Sequence, residues 1–200
     1  MAKFGARYSR WAPWAEGFED VDSTKLPSYG DALSIGELNK AGDSLNFREG
    51  SLHGDDQIAL YEKNFKDGSL DVESVFISLP DAAKILGCAH DENGLAHGDD
   101  DEPPYGGYGC ITHHIKSGKK YFEAVFYPKV KASPTAETYE TRGDNINFAT
   151  DKLSFHIESP VCRKYKVIKD FDAEAEAVAY IEGLFNGTAA VPGLPGPSAE

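Results

Sequence analysis

The side chains best suited to binding a metal ion lie between residues 88 and 114. Zinc sites commonly use Cys-x-x-Cys or His-x-x-x-His pairs, and this segment contains neither. Adjacent histidines on a strand would also point to opposite faces of the sheet. We therefore predict no metal site and interpret these side chains as ordinary loop and strand residues. They are Cys88, His90, His97, Cys110, His113 and His114.

A run of consecutive carboxylates can indicate a calcium-binding loop. Asp99 to Glu102 are four acidic residues in a row. Known calcium loops alternate their ligands with other residues and place a glycine at the centre, and this run does neither. The pair Asp55-Asp56 falls in a predicted turn, where aspartate is common for backbone reasons. A solvated turn is the simpler interpretation of both.

Motifs for nucleophilic catalysis and for phosphate binding are missing from the sequence. It contains no Gly-x-Ser-x-Gly elbow and no glycine-rich loop followed by Lys-Ser or Lys-Thr. Three widely spaced cysteines favour reduced thiols over a disulfide framework. We predict no catalytic residue, no cofactor and no enzyme activity. A hydrolase that uses two carboxylates close in space stays open as an alternative, because such a pair needs no motif.

The overall charge and length limit the class of protein. The chain of 200 residues has 33 acidic and 20 basic side chains, a formal charge of −13, which would repel nucleic acid phosphates. A hydrophobic content of 40% is sufficient for a buried core. The sequence has neither an apolar run of about twenty residues nor a basic-then-apolar N-terminus, so we expect no membrane span and no secretory signal.

Residues 41–87 read as three short strands and a helix. Polar and apolar residues alternate in each run, with turns expected at residues 50–56 and 66–68. Pro80 suits the first turn of a helix and Gly87 the left-handed position after its end. Residues expected to face inward are Leu45, Phe47, Ile58, Leu60, Leu70, Val72 and Phe76.

The remainder of the chain adds further strands and a second helix. A hairpin is predicted over residues 108–130, with its second strand covered on both faces. Leu153, Phe155 and Ile157 share one face of another strand, and residues 163–169 form a basic strand candidate. Asp172 is the expected N-cap of a helix that ends near Phe185.

We expect one domain, residues 1–188, with irregular extensions. Residues 1–30 read as an N-terminal arm, residues 88–109 as a long polar loop, and residues 189–200 as a flexible C-terminal tail. Trp11 and Trp14 in the arm suit either the core or a contact with a neighbouring subunit.

Several of these segments follow one another in an order typical of one family. Short motifs lie at the turns of the central strands, in a later strand and along both helices. The segments are Glu49-Gly50, His53 to Asp56, Asp67-Gly68, Leu79 to Gly87, Thr150 to Phe155 and Phe171 to Phe185. In their order and spacing the chain resembles the major tail proteins, or tail tube subunits, of long non-contractile-tailed bacteriophages and related prophages.

This resemblance implies a mainly β fold and a structural function. It implies a β-sandwich or partial barrel with a flanking α-helix, whose copies form stacked, six-fold rings around a channel. Ring closure would remove exposed strand edges. The implied partners are other copies of the chain, a tape measure protein, a tail terminator and distal tail or baseplate proteins. DNA would pass through the channel without specific binding, in a virion tail assembled in the host cytoplasm and without a membrane.

The resemblance also directs attention to two sets of residues. An acidic channel would let DNA slide without sticking, so exposed carboxylates on the central strands are lumen-facing candidates: Asp71, Glu73, Glu62 and Glu123. The long loop, the turn at residues 53–56 and the N-terminal arm are candidates for contacts between subunits. Within them we single out Trp11, Trp14, His53, Asp55, Asp56, Asp99, Asp100 and Tyr105.

Two other classes of function stay open at this point. A carbohydrate- or receptor-binding β-sandwich would be a stable monomer or small oligomer with measurable glycan affinity. A β-sheet hydrolase would lose turnover, and keep its fold, when a single acidic residue is replaced. Long tubes or stacked rings of the purified chain would favour the structural function over both.

Overall fold

A computed structural model describes residues 2–54, 57–116, 118–135 and 150–195. The described residues are mainly strand, with two helices and a large antiparallel sheet. The prediction of a mainly β, sandwich-like fold with a flanking helix is confirmed. Neither helix in the described ranges is long and apolar enough to cross a lipid bilayer.

The elements are bounded as follows. The strands are β1 (Ala2–Pro13), β2 (Leu33–Ser34), β3 (Leu38–Gly54), β4 (Gln57–Ser74), β5 (Ala89–Asp91), β6 (Gly94–Ala96), β7 (Tyr105–Lys116), β8 (Lys119–Ser133), β9 (Asp151–Ile157) and β10 (Val167–Phe171). The helices are α1 (Leu79–Leu86) and α2 (Glu174–Phe185).

The main sheet has the strand order β2-β1-β7-β8-β9-β4-β3, and β10 pairs with β8 beside β9. Only Ile35, Gly36 and Glu37 separate β2 at one edge from β3 at the other. The Ile35 amide donates to the Ser9 carbonyl (3.1 Å), and the Val75 amide donates to the Glu37 carbonyl (2.8 Å). These bonds draw the two edges together, so the sheet curls around its core.

The curled sheet separates two apolar clusters, because side chains alternate between the faces of each strand. On β8, Val125 and Tyr127 join the inner cluster, while Ala124 and Phe126 join the cluster under α2. The prediction that this strand is covered on both faces is confirmed. The inner cluster includes Trp11, Leu70, Val72, Tyr108, Leu153, Phe155 and Ile157, and the α2 cluster includes Ile111, Ile181, Leu184 and Phe185.

The two helices differ in how well the sequence defines their ends. In α1 the Ser78 side chain caps the amide of Asp81, and Gly87 adopts the left-handed conformation (φ 70°), as predicted. The predicted N-cap of α2, Asp172, is wrong by one residue. Ala173 occupies that position without a side-chain cap, and the Asp172 carboxylate accepts a hydrogen bond from Lys119 (2.8 Å) instead.

The central strands are longer than predicted. Instead of three strands, β3 and β4 form one hairpin, and β4 continues through the expected turn at residues 66–68. Leu70 and Val72 are buried as predicted. Leu60 and Phe76 were expected to face inward but are 60% and 67% exposed, because none of the described elements covers them.

The predicted extensions are mostly ordered parts of the fold. Residues 2–13 are not an arm but a strand between β2 and β7, and Trp11 is fully buried in the inner cluster. Trp11 therefore cannot serve as a contact between subunits. Residues 89–96 form a small hairpin within the predicted loop, and Tyr180 donates to the carbonyl of Ala190 (3.0 Å) in the predicted tail.

Candidate functional site

The most prominent surface feature is a protruding hairpin. β9 pairs with β4 only from Gly68 to Ser74, whereas β3 and β4 continue as a pair to Gly54 and Gln57. We call residues 46–54 and 57–67 the β3–β4 arm. Nine strand residues at about 3.3 Å each give the arm a length of about 30 Å.

The base of the arm is held to the body by one aromatic stack and one ion pair. Phe65 stacks on Tyr165 with ring centroids 3.9 Å apart and an interplanar angle of 7°, and Phe47 meets Phe65 edge-on. Beside them Lys166 Nζ lies 2.8 Å from Asp43 Oδ2. Both charged side chains are largely buried, so the pair is less screened by solvent than a surface pair. The arm therefore leaves the body in a fixed direction.

The outer part of the arm exposes apolar side chains. Leu52 and Leu60 are direct cross-strand partners on one face of the arm and are 63% and 60% exposed. We call these two residues the arm patch; the exposed Tyr61 points to the opposite face. Cross-strand neighbours stabilise a hairpin, but this pair also presents a continuous apolar surface to water. Exposed apolar surface on a protruding element indicates contact with another molecule.

A second apolar group lies at the other end of the same strand. Val75 and Phe76 follow β4 directly, Leu79 begins α1, and all three are exposed. We call them the β4-end patch. About 50 Å of strand separates it from the arm patch, at about 3.3 Å a residue. One long strand therefore connects two exposed apolar surfaces at its opposite ends.

One edge of the main sheet is formed by a long strand, β3. β3 is last in the strand order, and among the described residues only β4 pairs with it along its length. Its outer side presents backbone amides and carbonyls that can pair with another strand. Natural proteins usually shorten or cover such an edge, so the part of β3 in the arm, residues 46–54, is a candidate interface.

The four lumen-facing candidates differ in how exposed they are in the structure. Asp71 is exposed and accepts a hydrogen bond from Ser154 (2.8 Å), and Glu62 is exposed on the arm. Glu73 is half-buried. Glu123 is only 8% exposed and accepts from Thr112 (3.1 Å), so the prediction that it lines a lumen is wrong.

The charge around Glu73 is compensated by its strand neighbours. Lys40 on β3 and Lys152 on β9 are directly opposite it in register. Asp71, two residues earlier on the same face, has Gly42 and Ser154 as its neighbours. Of the two carboxylates, Asp71 therefore presents the less compensated negative charge.

Some of the remaining contact candidates are already engaged within the chain. Trp14 and Tyr105 stack on each other at 5.0 Å, and the Tyr105 hydroxyl donates to Glu158 (3.2 Å). Asp99 and Asp100 are exposed in a turn. His53 pairs with Ile58 near the end of the arm, and Asp55 and Asp56 lie outside the described residues.

Two clusters bring together side chains that can bind metals. In the first, Cys88, His97 and Asp101 approach one another beside α1, and in the second, His114, Glu123 and Asp170 do so across β7, β8 and β10. His114 Nε2 lies 3.7 Å from Asp170 Oδ1. Sequence spacing did not predict either cluster, because the first depends on the β5–β6 hairpin and the second on the pairing of three strands.

Sequence analysis also missed the arm patch and the β4-end patch. It assigned Leu60 and Phe76 to the core, since alternation indicates a strand without showing whether another element covers it. No protein-family model matches the chain, and no curated protein matches it in sequence. The comparisons therefore supply no relative whose function could be considered for this chain.

Proposed function

We propose that the chain is the repeating subunit of a phage-type tail tube, a structural protein whose copies form six-fold rings that stack around a channel for DNA. The observation that carries the proposal is the pair of apolar patches at opposite ends of β4. One is at the end of a projecting arm and the other is on the body. Exposed apolar patches of this kind mark surfaces that contact another molecule.

The two patches differ in composition and position, which favours a repeating contact. An isologous dimer buries the same surface of both copies, whereas two different surfaces that bind each other generate rings or filaments. In the proposed tube, the arm patch of one copy packs on the β4-end patch of a copy in the next ring. The arm is about 30 Å long, about the diameter of a small domain, so it can reach across a neighbouring subunit.

Ring formation would use the edge of the sheet. Pairing of the outer side of β3 with a neighbouring copy would satisfy its backbone groups and continue the sheet around the ring. The acidic character of the chain, −13, fits a conduit along which DNA moves without binding. A tape measure protein, a tail terminator and distal tail proteins are the partners that this function proposes, with the assembled chain located in the virion.

Assembly of the purified chain tests this proposal. We expect the wild-type chain to form rings or tubes as its concentration rises, measured by sedimentation velocity and negative-stain microscopy. The double variant Leu52→Asp/Leu60→Asp should form no stacked tubes and stop at single rings or smaller species, because two charges replace the apolar surface that joins one ring to the next. Val21→Asp is the matched control, since Val21 is 74% exposed and belongs to neither patch.

Circular dichroism and urea unfolding establish that the variants are folded. Stacked tubes that form equally well from Leu52→Asp/Leu60→Asp would overturn the role of the arm. A wild-type chain that stays monomeric at all concentrations, with or without other tail components, would overturn the proposed function. If that monomer bound glycans, a carbohydrate-binding function would replace it.

A further inference from the structure

Three side chains of different chemistry converge beside the C-terminal end of α1. Cys88 Sγ lies 3.1 Å from His97 Nδ1, and Asp101 Oδ2 lies 3.7 Å from the same nitrogen. One ligand atom from each residue lies within 4.8 Å of the other two. A thiol, an imidazole and a carboxylate are three of the ligand types that zinc prefers.

The surrounding backbone positions each of these residues. Cys88 follows the left-handed Gly87, and its amide donates to the Ala83 carbonyl (3.0 Å) at the end of α1. His97 directly follows β6. The Gly98 amide donates to Asp101 Oδ2 (2.9 Å), which turns the carboxylate back toward His97. The end of α1 and the small β5–β6 hairpin thus hold the three ligand side chains around one point.

We propose that Cys88, His97 and Asp101 bind a zinc ion, with water as the fourth ligand. Tetrahedral zinc with its usual bond lengths places neighbouring ligand atoms about 3.4–3.6 Å apart. The observed separations of 3.1 Å and 3.7 Å are close to this range. The exposed His97 ring leaves the fourth position open to solvent.

The same residue types could in principle form a Cys-His-Asp catalytic triad, but their geometry does not fit one. In a triad the nucleophile contacts one imidazole nitrogen, and the carboxylate orients the ring through the other. Here the thiol and the carboxylate both approach Nδ1. Burial and the neighbouring Asp101 also raise the pKa of the Cys88 thiol to about 11, the opposite of an activated nucleophile.

Calcium and magnesium fit this group less well than zinc. Both are hard cations that prefer six or more oxygen ligands, and a thiol is a poor ligand for them. Zinc accepts a mixed set of sulfur, nitrogen and oxygen at four positions. Bound zinc would connect the end of α1 to the segment that leads into β7. It would therefore hold residues 97–104 against the helix.

Metal binding by the chelator-treated, unassembled chain tests the proposal. We expect one zinc ion per chain by isothermal titration and elemental analysis. Cobalt(II) in its place should give the intense visible absorption of a tetrahedral ion and a thiolate-to-metal charge-transfer band. Cys88→Ser, His97→Gln and Asp101→Asn should each weaken zinc binding at least tenfold. His90→Gln and Asp100→Asn, which change neighbouring residues outside the group, should bind like the wild type.

Each outcome decides for or against the site. Absence of stoichiometric zinc binding by the wild type would overturn the proposal, as would zinc affinity unchanged in both Cys88→Ser and His97→Gln. If Cys88→Ser does not fold, the cobalt spectrum of the wild type and the affinity of Asp101→Asn still decide it. A cobalt spectrum without a thiolate band would exclude Cys88 as a ligand. The assay needs no assembled tube, so its result is independent of the proposed function.

Discussion

At the scale of single residues, Cys88 should make zinc binding at the proposed site depend on pH. Its thiol pKa is raised to about 11, so the thiol is protonated at neutral pH. Zinc binds the thiolate, and binding must therefore release this proton. We expect zinc affinity to rise about tenfold for each pH unit between about 7 and 9, because one proton is exchanged in this range.

This pH dependence is measured by zinc titration in buffers of different ionisation enthalpy, which counts the protons released. The thiol should contribute about one proton per zinc at pH 7.5, in addition to any proton lost by the zinc-bound water. In Cys88→Ser, which has no thiol proton to release, the proton count should be about one lower than in the wild type. A zinc affinity of the wild type that does not change with pH would mean that the thiol does not bind the ion.

Gly36 is the residue on which closure of the sheet depends most directly. It has φ 56°, and an added Cβ would overlap the carbonyl oxygen of Phe76. Gly36→Ala should lower the free energy of unfolding by about 2 kcal/mol, from backbone strain and the displaced Phe76 carbonyl. Urea unfolding measures this, with Gly42→Ala as the control because a Cβ at Gly42 meets open space. Equal stability of the two variants would contradict this role of Gly36.

The sequence predicts residues whose role is local and misses those whose role depends on distant parts of the chain. Pro80 and Gly87 mark α1 through backbone preferences alone, and both were placed correctly. The β5–β6 hairpin also has a local signal, Asn93 in its turn followed by Gly94 at the start of β6, which sequence analysis did not use. The convergence of Cys88 with His97 and Asp101 has no such signal, since it requires that hairpin to fold first.

At the scale of elements, the β3–β4 hairpin shows how a local turn signal can be overridden. Asp67-Gly68 suggests a turn, yet both residues belong to β4 and pair with residues of β3. Lys66 has no partner in the register, which marks a bulge, and Gly68 lies where a Cβ would meet the Ser44 carbonyl at 2.8 Å. Glycine here allows two strands to approach closely beside a bulge, and the long pairing on both sides outweighs the turn preference.

The anchoring of the arm can be tested at Tyr165. Its ring stacks on Phe65 at the base of the arm, a contact of about 1 kcal/mol. Tyr165→Ala should therefore increase amide hydrogen exchange at residues 48–52 and 60–64 and leave exchange in β7 and β8 unchanged. Tyr61→Ala is the control, because Tyr61 is exposed on the arm, away from its base. Arm exchange that is the same in both variants would show that the stack does not hold the arm.

At the scale of the whole molecule, the fold class could be predicted and the assembly surface could not. Alternation along Leu153, Phe155 and Ile157 and the apolar run in β8 are enough to indicate a sheet with two covered faces. The same alternation along the arm predicted inward side chains that nothing in the described part of the chain covers. A sequence pattern indicates which side chains prefer burial, but not what buries them. On the arm, the proposed neighbouring copy would bury these side chains.

The distribution of charge on the proposed tube leads to the last prediction, which concerns DNA ejection. Asp71 is exposed next to uncharged neighbours, whereas Glu73 lies between Lys40 and Lys152. If this face lines the channel, Asp71→Lys creates an uncompensated positive charge that attracts DNA phosphates. Glu73→Lys creates three adjacent lysines, whose mutual repulsion turns their side chains toward solvent, so it should bind DNA at least as strongly.

We therefore expect both variants to slow ejection in particles whose tails are built from the variant chain, with tail length unchanged. The delay should shrink as salt concentration rises, because counterions compete for the phosphates. Glu176→Lys is the control, since Glu176 is exposed on α2, which packs against β7, β8 and β10, whereas Asp71 lies on β4. Slower ejection in Glu176→Lys than in Asp71→Lys would place α2, rather than the outer face of β4, along the channel. Unchanged ejection in all three variants would remove both faces from contact with DNA.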